Sequence, residues 1–101
     1  MHDVFDALAH PVRREILRLL RRGAMSAGDL AAHFDLAKPT LSGHFAVLKA
    51  AGLVTAQRKG TTILYRLNLS VLEEALAALM SLAGKTEKTG AKKWAYARRS
   101  S

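Results

Sequence analysis

The stretch from Ser26 to Leu53, SAGDLAAHFDLAKPTLSGHFAVLKAAGL, constrains the fold more than any other part of the chain. Two short apolar-periodic segments meet there across the polar break Asp35-Leu36-Ala37-Lys38. The first segment has Ser26 as its N-cap and Asp29 three residues on, close to a capping box, and its apolar residues Leu30 and Phe34 lie four apart. The second starts at Lys38 or Pro39, where a proline's missing N–H costs nothing in a first helical turn, and it stops at Gly52. Leu41, Phe45 and Leu48, spaced four and three apart, make its apolar stripe. The opposite face falls to Pro39, Gly43, Ala46, Val47 and Ala50, with Thr40 and Ser42 on its flanks. A solvated helix face ordinarily carries charges, yet none stands between Lys38 and Lys49. Small side chains let a helix backbone approach a second surface, and the major groove of DNA admits a helix. The pattern is a helix-turn-helix.

The flanks complete the architecture. Val4, Phe5 and Leu8 make an amphipathic turn and a half over His2 to Leu8. His10-Pro11 then breaks the chain, because the residue before proline is pushed out of the helical region. From Val12 to Arg22, the apolar residues Val12, Ile16, Leu17, Leu19 and Leu20 alternate with Arg13, Arg14, Arg18, Arg21 and Arg22. That spacing predicts a buried helix with a cationic, mostly solvated outer face, ended by Gly23. Two β-rich runs, Leu53 to Lys59 and Thr62 to Leu67, flank Gly60-Thr61 and predict a hairpin whose turn type Gly-Thr alone leaves open. Its tip gathers Arg58, Lys59, Gly60, Thr61 and Thr62, which suit phosphates or a minor groove. Ser70 is the expected N-cap of a final helix, Val71 to Ala83, with Glu73 completing a capping box. On that helix Leu69, Leu72, Leu76, Leu79 and Ala83 repeat at three and four, and Ala75, Met80 and Leu82 widen the stripe. A stripe this wide is hard to cover within 101 residues, so a second copy of the chain is its simplest cover. The expected dimer interface is therefore Val4, Phe5, Leu8, Leu72, Leu76, Leu79, Met80 and Ala83.

The fold class is mainly α (α+β): a winged helix-turn-helix in the order α-α-α-α-β-β-α, followed by a basic C-terminal tail. Residues 1–84 form one domain for DNA binding and dimerisation, and residues 85–101 a tail expected to be disordered in the free protein. Charge is uneven between them. Of a formal +8, residues up to Gly84 supply ten Lys/Arg against seven Asp/Glu, and the tail six against one. A balance this basic, with a pI near 10.5, points first to a polyanion. The tail reads equally as an electrostatic arm for DNA and as a solubilising segment.

Several function classes drop out. With no cysteine there is no disulfide, thiolate metal site or cysteine nucleophile. Nothing resembles a secretory leader or a membrane span, so a cytoplasmic location is expected. No nucleophile with a paired base, carboxylate pair or phosphate loop supports an enzyme. Three readings stay open: a DNA-binding repressor, a basic RNA-binding or non-specific nucleoid-type protein, and a winged-helix protein-interaction module. The neutral face after Lys38, together with the cationic wing, favours the first.

The runs FDALAHPVRREILRLL, MSAGDLAAHFDLAKPTLSGHFAVLKAAGLV and RKGTTILYRLN, in that order, resemble the ArsR family of bacterial winged-helix repressors. Within it they are most similar to the metal-independent, SdpR-like autorepressors. Leu41, His44, Leu48, Ala51-Gly52-Leu53-Val54, Gly60 and Tyr65 sit where that pattern expects them, and the resemblance covers about residues 2 to 84. It implies a homodimer that binds an inverted-repeat operator in double-stranded DNA and blocks transcription. Recognition then falls to Lys38, Pro39, Thr40, Ser42, Gly43, His44 and Val47, and the wing contacts to Arg58, Lys59, Gly60, Thr61 and Thr62. Metal sensors of the family carry a CVC-type pair on the third helix, or a D-x-H with a distal H-x-x-E/H on the last. Here those places read GDLAAHF and hold only Glu73 and Glu74, so no cofactor or metal is expected. Histidines 2, 10, 33 and 44 are scattered along the chain, and His44, at the border of the buried stripe, either reads a base or braces its helix. Gly43 stands where the family often has a polar side chain.

Overall fold

The computed structural model describes residues 3–84; the expectations for the tail, residues 85–101, lie outside the described residues. The described chain divides after Val71 into two compact units. The first contains α1 (Val4–Leu8), α2 (Pro11–Leu20), β1 (Met25–Ser26), α3 (Ala27–Ala31), α4 (Lys38–Ala50), β2 (Val54–Lys59) and β3 (Thr62–Leu67). The second begins at Leu72 and takes in most of α5 (Leu69–Leu82). Five helices and a three-stranded antiparallel sheet make a winged helix-turn-helix.

Several helix ends follow their sequence signals. The Asp3 carboxylate accepts from the Phe5 amide to cap α1, and Ser26 Oγ accepts from the Asp29 amide to cap α3, both at 3.0 Å. Pro11 and Pro39 occupy first-turn positions in α2 and α4. Beyond α4, Gly52 adopts φ +80 and the chain reverses. The Gly52 amide donates to the Lys49 carbonyl and the Leu53 amide to the Leu48 carbonyl, each at 3.0 Å. That paired closure is a Schellman motif, and it buries Leu53 with Leu48.

The core of the first unit is aliphatic with one aromatic pair. Ile16, Leu17 and Leu20 from α2, Leu30 from α3 and Leu41, Phe45 and Leu48 from α4 are buried together with Leu53, Val54 and Tyr65. The Phe45 and Tyr65 rings lie 4.7 Å apart, tilted by 32°, tying α4 to the sheet. Leu41, Phe45 and Leu48 are thus the buried stripe that their spacing predicts.

The structure adds one strand to the expected fold and corrects two expectations. A third strand exists: the two residues of β1 pair with β3, Met25 with Tyr65 and Ser26 with Leu64, so the sheet order is β1-β3-β2. Two residues are too few to show an alternating pattern. Next, α3 ends at Ala31, so Phe34 packs half-buried from the loop rather than from the helix. Finally, α5 starts at Leu69, which places Ser70 inside the first turn instead of at the cap. The Asn68 amide donates to the Leu53 carbonyl at 2.8 Å, holding the strand-to-helix corner one residue before the helix begins.

Candidate nucleic-acid interface

The exposed end of α4 is assembled by the same pattern that buries its other side. With Leu41, Phe45 and Leu48 inward, Lys38, Pro39, Thr40, Ser42 and Gly43 are exposed, as are Ala46 and Ala50 further along. No backbone or side-chain atom other than its immediate surroundings lies within 4 Å of where a Gly43 Cβ would stand. Val47 and His44 are half-buried. A helix end of this kind offers two hydroxyls, one ammonium and a backbone that a second surface can approach closely.

The wing is the β2–β3 hairpin. Residues pair in register from Val54 with Leu67 to Lys59 with Thr62, leaving Gly60-Thr61 as a two-residue turn. Gly60 has φ +62 and Thr61 no positive φ, the arrangement of a type II′ turn, which settles the question that Gly-Thr left open. Arg58, Lys59, Gly60, Thr61 and Thr62 are all exposed. Among the described residues the ion pair formed is Arg18 with Glu15 on α2, so neither wing cation has a carboxylate partner there. Helix α4 packs on β2, which places this cationic hairpin and the neutral helix end on one unit.

Behind α4 lies a cluster that sequence pattern does not reveal. Arg13 reaches three groups: Nε donates to the Ala7 carbonyl at 2.8 Å, Nη2 to the Asp6 carbonyl at 2.9 Å, and Nη1 to His44 Nδ1 at 3.2 Å. Arg14 adds a bond to the Leu8 carbonyl at 2.9 Å. The carbonyls that end α1 are thereby satisfied by two cations from α2, favourable also for the helix dipole. An arginine can only donate, so His44 Nδ1 is an acceptor and the ring is neutral. His10 caps α2, its Nδ1 accepting from the Val12 amide at 3.1 Å, and its ring lies 4.4 Å from that of His44. Burial first, then the neighbouring His10 and Arg13, hold the His44 pKa below its usual 6.5.

The cationic face of α2 is therefore not uniformly solvated. Arg13 is half-buried and acts as a tie among α1, α2 and α4. Its partner His44 lies thirty-one positions along the chain, beyond the reach of any local pattern. Two of the scattered histidines are brought together, whereas His33 is exposed and stands apart from them.

The residues expected at a dimer interface divide between the units. Val4 and Leu8 of α1 are half-buried and Phe5 is exposed. On α5, Ala75 is buried, Leu72 and Met80 are half-buried, and Leu76 and Leu79 are 57% and 47% exposed. Leu76, Leu79, Met80 and Ala83 line an open apolar depression of about 390 Å³. No group of three or more His, Cys, Asp or Glu that could hold a metal occurs among the described residues. No described helix is long and apolar enough to cross a membrane.

Residues 8–57 match a family described as a helix-turn-helix domain. The chain is 42% identical over 85 residues to the transcriptional repressor SdpR of Bacillus subtilis (strain 168), covering 84% of this chain and 94% of that one. It is 37% identical over 79 residues to a biofilm growth-associated repressor of Agrobacterium fabrum, covering 78% and 68%. Among solved structures, a possible transcriptional regulator for arsenical resistance superimposes with TM-score 0.75 at 35% identity, covering 81% of this chain and 85% of that chain. An ArsR family transcriptional regulator, RHA00566, gives TM-score 0.68 at 30% identity, covering 79% and 91%. These relatives are transcriptional regulators rather than enzymes.

Proposed function

The chain belongs to the ArsR family of winged-helix transcriptional repressors, and from that premise we propose that it is a homodimeric repressor binding an inverted-repeat operator in double-stranded DNA. One observation carries the reading. The exposed end of α4, from Lys38 to Gly43, is uncharged after its first residue and unobstructed, on the same unit as a wing whose two cations lack carboxylate partners among the described residues. Thr40 and Ser42 are placed to meet base edges, Lys38 and the wing to meet phosphates, and Pro39, Gly43 and Val47 to allow close approach. His44 braces the helix from behind.

A second copy of the chain covers the apolar face of α5, with Leu72, Leu76, Leu79, Met80 and Ala83 at its centre and Val4, Phe5 and Leu8 as the contribution of α1. Two recognition helices then read two half-sites together. With no cysteine in the sequence, release from DNA does not work through a thiolate-bound metal.

Selection from a pool of random-sequence duplexes tests this directly. The expected product is an inverted repeat with half-sites about one helical turn apart. A pool that shows no enrichment, with single-stranded RNA competing as well as duplex DNA, would favour the general nucleic-acid-binding reading instead.

A further inference from the structure

The cluster behind α4 has a property that a purely structural tie does not need: the ring acceptor that meets Arg13 disappears on protonation of His44. His44 Nδ1 takes the Arg13 Nη1 hydrogen, and His10 Nδ1 takes the Val12 amide hydrogen. An imidazolium donates from both nitrogens and accepts at neither. Protonating His44 would turn its contact with Arg13 into two facing donors, each positively charged, with the His10 ring 4.4 Å away.

Among the described residues no alternative partner stands ready to absorb that change. On α1, the Asp3 carboxylate is engaged by the Phe5 amide, and Asp6 meets Arg13 through its backbone carbonyl. On α2, His10 and Arg13 face the ring, Arg14 is turned to the Leu8 carbonyl, and the Glu15 carboxylate is paired with Arg18. On β2, the cations Arg58 and Lys59 lie out on the exposed wing, and on α4 itself Lys38 and Lys49 are exposed at the two ends. Both His10 and Arg13 disfavour a charged His44, and among the described residues no carboxylate offsets them. Through the three bonds of Arg13, the position of α4 is tied to the end of α1.

We propose that Arg13, His44 and His10 form a proton-controlled clamp on the recognition helix: with the His44 ring neutral the clamp holds α4 in the register that discriminates an operator, and protonation of His44 releases it. Arg13 and His44 are positioning residues in this scheme, and His44 is the sensor. The proposal rests on the reading that α4 enters the DNA groove. What acid removes is discrimination rather than attraction, because an added positive charge near α4 favours any phosphate backbone while a loosened helix no longer fixes base contacts.

Two measurements separate the clamp from that reading. The first follows the His44 ring by NMR between about pH 5 and pH 8, the range in which histidine changes charge. Its midpoint should lie below the ordinary histidine value and move upward in Arg13→Gln and in His10→Asn, the latter keeping an N-cap oxygen. The second compares affinity for a pool-selected duplex with that for its scrambled counterpart at fixed salt, across the same pH range. The preference should fall with the His44 midpoint in the wild type. It should stay pH-independent in His44→Asn, whose amide oxygen accepts from Arg13 without titrating. An unmoved midpoint in both variants overturns the clamp whatever DNA does. A wild-type preference that is flat with pH, or a pH dependence that survives in His44→Asn, also overturns it. Absence of any preference at neutral pH would instead overturn the DNA reading, and the ring titration would still decide the clamp.

Discussion

Thr40 and Ser42 are exposed hydroxyls at the start of α4, and no side-chain hydrogen bond among the described residues occupies them. Ser42→Ala and Thr40→Ala should therefore leave the fold intact and weaken operator binding by about 1 to 3 kcal/mol each, the worth of a good base contact. Operator titrations beside urea unfolding curves check both halves of that statement. Gly43 makes the opposite kind of prediction. Glycine inside a helix costs about 1 kcal/mol relative to alanine, and at Gly43 a Cβ would meet nothing within 4 Å. Gly43→Ala should thus raise stability by about 0.5 to 1 kcal/mol, and if the groove approaches this point closely it should bind operator more weakly than wild type. His44 adds a pH dependence of stability whose sign follows from its depressed value. The folded protein resists the proton that the unfolded chain accepts near 6.5, so the contribution is present above that pH and is lost as pH falls through the folded value. Urea midpoints should drop more steeply with acid in the wild type than in His44→Asn.

At the scale of elements, the proposed role of the wing rests on charge and anchorage. Its hydrogen-bonded register runs without a break to a two-residue turn, so Arg58 and Lys59 are held out on a rigid support. Each phosphate neutralised releases counterions, so Arg58→Ala and Lys59→Ala should each reduce the slope of log K against log salt by about 0.9, equally for operator and random duplex. Titration at several salt concentrations measures it, and unchanged slopes would remove the wing from the interface. Most element boundaries are legible in the sequence where a local signal exists. Ser26 and Pro39 announce two helix starts, Gly52 an end, and Gly60 a turn, each through a chemistry confined to a few neighbouring residues. Strand β1 was not legible, because two residues carry no period and its pairing depends on β3, about forty positions on. Ser70 is an attractive cap by composition, yet α5 starts at Leu69 because the corner is set by the long-range Asn68–Leu53 bond. For the same reason, the neutral face of α4 could be read from spacing, whereas the Arg13–His44 tie behind it could not.

For the whole molecule, the question is what covers α5. Leu69, Leu76, Leu79 and Leu82 are all exposed large apolar side chains on one helix, and exposing so much apolar surface to water is unfavourable by about 25 cal/mol per Å². Placing a charge there, as in Leu76→Glu or Leu79→Glu, should yield a monomer that keeps its secondary structure and loses operator binding. Sedimentation and circular dichroism together check this, and a wild type that sediments as a monomer at micromolar concentration would contradict the dimer. In the proposed repressor, α4 and the wing together discriminate one DNA sequence. Competition between a pool-selected duplex and its scrambled counterpart, at physiological salt and neutral pH, tests it most directly. The wild type should prefer the selected duplex by a factor on the order of a thousand or more, as specific DNA-binding proteins do. Equal affinity for the two would contradict it.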